Sequence, residues 1–176
     1  MEDGVKGMNW DAFKSAAPEL AGEAEKLLDR TGVLLVGTIR QDGSPRISPV
    51  EPLFAGGELY LGMMPRSLKA ADLLRDPRCT IHNVISDRMA AEGEFKLHGR
   101  ARNVQEADER QRYCEGLKAK IGWSPNGMEF HLFAIEIESA GLFISGGDRR
   151  TIKLWRAGET VKSFRQGVDG KMIPVM

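Results

Sequence analysis

Residues 33–83 read VLLVGTIRQDGSPRISPVEPLFAGGELYLGMMPRSLKAADLLRDPRCTIHN. Two apolar-rich runs flank Gln41-Asp42-Gly43-Ser44, and Asp-Gly between such runs is a strong hairpin signal. Val33 to Ile39 is nearly continuous in apolar residues, the pattern of a strand buried on both faces. The return, Ile47 to Phe54, has Pro45, Pro49 and Pro52 in or beside it. Proline donates no ladder hydrogen bond, so three of them predict an irregular or edge strand with backbone groups left for a ligand. Ala55-Gly56-Gly57-Glu58 then turns the chain into a third strand, Leu59 to Met63. A proline opens a short helix over 67–75, ended by Asp76-Pro77.

The start of that helix holds Arg66, Ser67 and Lys69. A helix N-terminus already carries partial positive charge, so cations there are misplaced by a few tenths to about 1 kcal/mol each. Two of them beside a serine cap make sense around an anion, and a phosphate suits the place. The alternative is a plain serine cap with both cations in water.

Outward from this stretch, residues 1–8 are polar and expected to be mobile. Asn9 to Phe13 is expected to be a short turn that docks Trp10 and Phe13. Pro18 to Arg30 has helical spacing, with Leu20, Ala24, Leu27 and Leu28 on one face. Arg78 to Ile85 reads as a strand and Ser86 to Ala91 as a polar connection. Gly93 to Val104 alternates, with Phe95, Leu97, Gly99 and Ala101 on one side. Asn103 and Glu106 have capping-box spacing before a helix that runs to about Lys120 and stops at Gly122. Phe130 to Ile137 alternates again, Gly141 to Ser145 continues it, and Thr151 to Arg156 is the last clear strand. The tail from 159 to 176 is weakly patterned. Six or more strands, two or three helices and mostly tight turns predict an α+β fold: an antiparallel barrel with peripheral helices, closed on itself to hide its edges.

The chain has 176 residues, the length of one domain, with 25 Lys+Arg against 25 Asp+Glu. Zero net charge argues against a general nucleic-acid binder, which needs excess cations. No run of eighteen apolar residues predicts a membrane span, and the N-terminus lacks a signal-peptide core. The expected location is the cytoplasm. Cys79 and Cys114 have no partner at metal or redox spacing, so both read as reduced thiols. His82, His98 and His131 are scattered strand residues, one of which would serve as axial ligand if the cofactor were haem. No nucleophile–base pair, nucleophile elbow or Walker loop occurs, and Gly146-Gly147 reads as a turn. Catalytic side chains are therefore not assigned. Chemistry would come from a bound cofactor.

The segments GTIRQDGSPRISPV, ELYLG and SLKAADLLRDPR resemble the FMN-binding split-barrel superfamily, which includes pyridoxamine 5′-phosphate oxidase and the flavin/deazaflavin oxidoreductases. The resemblance implies a split barrel that binds FMN, or F-420 as alternative, and transfers hydride to or from a small organic substrate; the alternative is a non-enzymatic flavin- or haem-binding protein of the same fold. It places Lys69 on the cofactor phosphate with Ser67 and Arg66 beside it. Arg46 and Ser48 become further contacts to the phosphate or ribityl chain, and Val50, Met63 and Met64 line the ring system. For the two methionines core packing is the competing reading. The resemblance further implies a homodimer with the cofactor at the interface, and Trp155 or Arg156 of one subunit near the other's site. Core packing is the alternative for Trp155. Arg149, Arg150 and Arg156 do not reproduce the Arg-rich C-terminal segment of pyridoxamine 5′-phosphate oxidase, so oxidation of vitamin B6 is not implied.

Overall fold

A computed structural model describes residues 7–88, 91–146 and 149–175. The expected mobility of positions 1–6 and the turn at Gly147 lie outside the described residues. Two helices come first, α1 (Trp10–Ala16) and α2 (Pro18–Asp29). The expected turn at Asn9 is a full helix because Asn9 caps it, its Oδ1 accepting from the Ala12 amide at 2.9 Å. Trp10 and Phe13 are buried, and Phe13 packs on Trp155 with ring centroids 4.8 Å apart. Pro18 sits at the start of α2, where its missing N–H costs nothing. One face of α2 buries Leu20, Ala21, Ala24, Leu27 and Leu28.

The hairpin follows as β1 (Leu34–Ile39) and β2 (Pro45–Val50), then β3 (Pro52–Ala55) and β4 (Glu58–Met63). The next elements are α3 (Leu68–Arg75), β5 (Arg78–His82), β6 (Glu94–Asn103) and α4 (Ala107–Ile121). Four strands finish the chain: β7 (His131–Gly146), β8 (Arg149–Arg156), β9 (Lys162–Gln166) and β10 (Met172–Val175). All pairings are antiparallel, in the order β10-β9-β8-β7-β6-β5-β1-β2, with β3-β4 joined to β7 through β4.

The α+β antiparallel split barrel with peripheral helices is as expected, but the sheet is not closed on itself by hydrogen bonds. β2 pairs with β1 and β3 pairs with β4, and among the described residues no ladder joins β2 to β3, which the chain connects at Glu51. The prolines explain the break, because Pro45, Pro49 and Pro52 remove the amides that a continuous strand would offer. β2 is thus the irregular edge that its composition predicts.

Other expectations need correction. β1 is buried on one face only: Leu34, Val36 and Thr38 point inward, while Leu35, Gly37 and Ile39 are half-buried on the outer face. The Asn103–Glu106 capping box does not form. Glu106 is itself the N-cap, without a side-chain bond, and Asn103 accepts instead from Gln105 at 2.8 Å. The C-terminal tail is not irregular, since β9 and β10 form an added hairpin against β8. Met8 is not loose either, as it exchanges two backbone hydrogen bonds with Ile137, 2.9 and 2.7 Å.

The main core lies between the inner face of the sheet and α1–α2, with Leu34, Val36, Leu61, Ile81, Phe95, Leu97 and Phe133 fully buried. Each contributes roughly 1.5–3 kcal/mol by leaving water. A second core under α4 holds Leu53, Tyr60, Tyr113, Leu117 and Leu132. The start of β7 faces both cores, which is why Leu132 to Ile135 are all buried. Cys79 and Cys114 are both buried free thiols. Burial pushes the Cys79 thiol up to about 12 and raises Cys114 as well.

The β6–β7 ladder slips between His98 and Gly99, where His98 faces Ser139 and Gly99 faces Ile137. Glu138 is the extra residue of this bulge. Gly99 is required there: a Cβ on it would stand 2.1 Å from the Glu136 carbonyl oxygen. Gly99→Ala should therefore cost about 1–3 kcal/mol in urea unfolding. By contrast Gly22, inside α2 with nothing within 4 Å of a Cβ, should gain about 0.5–1 kcal/mol on Gly22→Ala. Equal stability of the two variants would show that the bulge tolerates a side chain.

Candidate cofactor site

The seam between β2 and α3 is held by one carboxylate. Asp72, 4% exposed, accepts at Oδ2 from Arg46 Nε (2.7 Å) and Thr38 Oγ1 (2.9 Å), and at Oδ1 from Arg75 (3.4 Å). Arg75 also donates to the Ile39 carbonyl. Thr38 and Arg46 are register partners in the hairpin, so both reach the same face of α3. Burial pushes the Asp72 carboxyl up, but the hydrogen bonds from Arg46 and Thr38 outweigh it, and the group ends below its ordinary value.

One helical turn before Asp72, Lys69 donates from Nζ to the Pro49 carbonyl at 3.1 Å. The structure therefore brings Arg46, Ser48 and Lys69 together along the seam. Ser67 caps α3, accepting from the Ala70 amide at 3.4 Å. Arg66 has φ of 62°, and among the described residues no other non-glycine has positive φ. It is exposed and makes no hydrogen bond or ion pair with a described residue. The first turn of α3 has no acidic residue. Arg66 and Lys69 stand at the N-terminal end of α3, which itself carries positive charge, while Arg46 and Arg75 pair with Asp72 further along the helix.

The expected ring-lining residues separate. Val50 and Met63 are buried in the main core, whereas Met64 is 78% exposed. They do not form one continuous apolar surface. Trp155 is core, as the packing alternative had it, though its indole Nε1 has no partner. Arg150 and Arg156 are exposed on β8, while the side chain of Arg149 lies outside the described residues.

Three grooves run together over the outer face of the sheet. One, about 510 Å³, is lined by Leu35, Ile47, His82, Val84 and Ile85. It shares Gly37, Ile47 and Thr80 with a second of about 370 Å³, lined also by Arg46, Arg78, His98, Arg100 and Glu138. His98 in turn borders a third, about 500 Å³, with Lys96, Leu154, Arg156 and Lys162. Lys96, His98 and Arg100 of this face went unassigned from sequence, unlike Arg46 and Arg156. Their signal was the alternation Lys96, His98, Arg100, Arg102 along one strand. His82 sits at the end of β5 with Nδ1 2.7 Å from the Asn83 carbonyl and Nε2 3.5 Å from Glu94. Among the described residues no group of three or more His, Cys, Asp and Glu is arranged to hold a metal ion, and no helix is long and apolar enough to cross a membrane.

An open-ended antiparallel sheet split at Glu51, with a cationic helix start packed on its first hairpin, is a split-barrel architecture. The pyridoxamine 5′-phosphate oxidase family model matches residues 20–142, and the chain belongs to that family. No curated protein matches the chain. Among solved structures, the heme binding protein of Mycobacterium smegmatis is 19% identical with a TM-score of 0.59 over 77% of this chain and 57% of its own. Campylobacter jejuni ChuZ is 14% identical with a TM-score of 0.63 over 80% of this chain and 61% of its own. A Clostridium acetobutylicum protein related to general stress protein 26 is 14% identical, TM-score 0.53, over 84% of this chain and 93% of its own. At these identities the likeness is one of fold.

The folded carboxyl of Asp72 titrates below its unfolded value. Its contribution is therefore present above the unfolded carboxylate pKa of about 4 and is lost as pH falls through the lower folded value. Asp72→Asn should cost about 1–3 kcal/mol at pH 7, and the gap to wild type should narrow on acidification, read by urea unfolding between pH 7 and 3. A variant as stable as wild type at pH 7 would show that the seam holds without this tie.

Proposed function

We propose that the protein is a flavin-dependent oxidoreductase that binds FMN, or the deazaflavin F-420, and exchanges hydride with a small organic substrate. The observation that carries this reading is Arg66. A non-glycine residue in left-handed backbone costs about 1–3 kcal/mol and persists where function uses it. Here it fixes an unpartnered guanidinium at the mouth of α3, beside Lys69 and the capped Ser67. Charge-assisted bonds from such groups to a phosphate contribute about 1.5–3 kcal/mol each. The donor set suits a phosphate dianion: several cations, a helix N-terminus and one carboxylate already committed to Arg46.

When bound, the flavin supplies the hydride chemistry. The chain's residues bind and orient it. Lys69 and Arg66 hold the phosphate, Ser48 and the amino groups of Arg46 not used by Asp72 reach the neighbouring oxygens, and the proline-broken strand presents free backbone groups to the ring. Ile47, Leu154 and Ile85 are exposed large apolar residues on the outer face, at 74%, 46% and 38%. They support a homodimer in which the second copy covers this face and encloses the cofactor. The two unpaired thiols support a reducing compartment, the cytoplasm.

A second reading, a haem-binding split barrel, has one observation in its favour. His82 anchors its Nδ1 on a backbone carbonyl, as metal-ligating histidines do, and it borders the apolar outer groove. The heme binding protein of Mycobacterium smegmatis, similar in fold, points the same way.

The absorbance spectrum of the purified protein separates the readings: two broad bands for FMN, one for F-420, a sharp Soret band for haem. Lys69→Ala should weaken FMN binding by about 1.5–3 kcal/mol, measured by flavin fluorescence, with apo stability unchanged. Lys118→Ala on α4 should have no effect. Equal FMN affinity in Lys69→Ala and wild type would remove the phosphate assignment. A Soret band that is lost in His82→Ala would establish the second reading instead.

A further inference from the structure

The outer groove beside the cofactor corner contains a charge arrangement that the fold does not need. Arg78 of β5 and Arg100 of β6 are direct cross-strand partners, and both are exposed on the outer face. Like charges placed directly opposite one another destabilise a sheet, since their Cβ atoms stand only about 4.5–5.5 Å apart. Arg78 is compensated, donating Nε and Nη2 to Asp76 at 2.9 and 2.6 Å. Arg100 makes no hydrogen bond or salt bridge with a described residue, and Asp76, already bonded to Arg78, is the carboxylate that feels its charge.

Two further features bear on the same groove. Arg46, tied to the β2–α3 seam, forms part of its wall, so it adjoins the candidate phosphate corner. The bulge between β6 and β7 ends at its floor. It places His98, Gly99 and Glu138 there, and His98 is steadied by Thr80 Oγ1 at 2.9 Å. Bulges that re-aim side chains are frequent next to binding sites. Arg46 and Arg78 are paired with Asp72 and Asp76, so Arg100 is the lining arginine without a salt bridge among the described residues, in a groove of about 370 Å³, a size that takes a small molecule.

We propose that this groove is the substrate site and that Arg100, with Arg78 and His98, receives a carboxylate or phosphate group of the substrate. Assigning it to the substrate rests on the flavin reading of the adjoining corner. The oxyanion site itself does not. A guanidinium pair takes a planar or tetrahedral oxyanion through parallel N–H donors, and Glu138 faces it with an acceptor for a hydroxyl or amine on the same ligand. The substrate class is a small organic acid or phosphate monoester, with neutral compounds excluded.

The test is an NMR titration of the full chain with inorganic phosphate and, separately, succinate, at fixed ionic strength. Saturable shifts at Thr80, His98 and Arg100 are expected, with affinity falling at least tenfold in Arg100→Gln and unchanged in Lys118→Gln. The preferred probe tells phosphate esters from carboxylic acids. The melting temperature of Arg100→Gln should equal or exceed that of wild type, because a like-charge opposition is removed. Absence of saturation, or wild-type affinity in Arg100→Gln, overturns the inference, as does a lowered melting temperature, which would make Arg100 structural. Lys69→Ala separates the two readings. If it abolishes flavin binding and leaves oxyanion binding intact, the sites are distinct as proposed. If it abolishes oxyanion binding while Arg100→Gln does not, the anion belongs to the α3 corner and only the flavin reading survives.

Discussion

A carboxylate buried between a hairpin and a helix sets the shape of everything nearby. Asp72 draws Arg46 and Thr38 from adjacent strands onto α3, so the helix cannot rotate or slide without leaving a buried charge unpaired. Losing a partner inside such a group is far more costly than the net gain of forming it. The position of Lys69 one turn away, the direction of the α3 N-terminus and the left-handed turn at Arg66 all follow from that anchoring. The corner is preorganised around positive charge before any ligand arrives, which lowers the ordering cost of binding.

Much of this was legible because short-range chemistry wrote it. Asp42-Gly43 specifies the hairpin, three prolines specify a broken second strand, and Ser67 specifies the start of α3. The family resemblance rested on those same residues, and the family model confirms it. The features that stayed hidden depend on distant partners. Nothing local to Glu138 announces a bulge, since it arises from a mismatch between β6 and β7, far apart in sequence. Closure of the sheet was expected from strand number alone, yet the prolines that weaken β2 also prevent it. The β9–β10 hairpin was missed because its residues are mostly exposed, leaving no alternation to read. In the site, Lys69 and Arg46 were recognisable, but Asp72 was not: a lone aspartate on a helix gains meaning only from what packs over it.

The solved structures similar to this chain are a heme binding protein, a stress-protein relative and others, on one shared scaffold. That divergence fits the architecture. The inner face of the sheet is committed to the core and cannot vary freely, while the outer face carries Lys96, His98, Arg100 and Lys162 at no structural penalty to the interior.

The buried thiols have a practical corollary. A thiol held at about 12 is almost entirely protonated near neutrality, and Cys79 is also shielded from solvent. Alkylating reagents can reach it only when β5 separates from its neighbours. The rate at which a maleimide modifies Cys79 thus acts as a clock for rare openings of the very sheet on which the grooves are built, with no need to introduce a label.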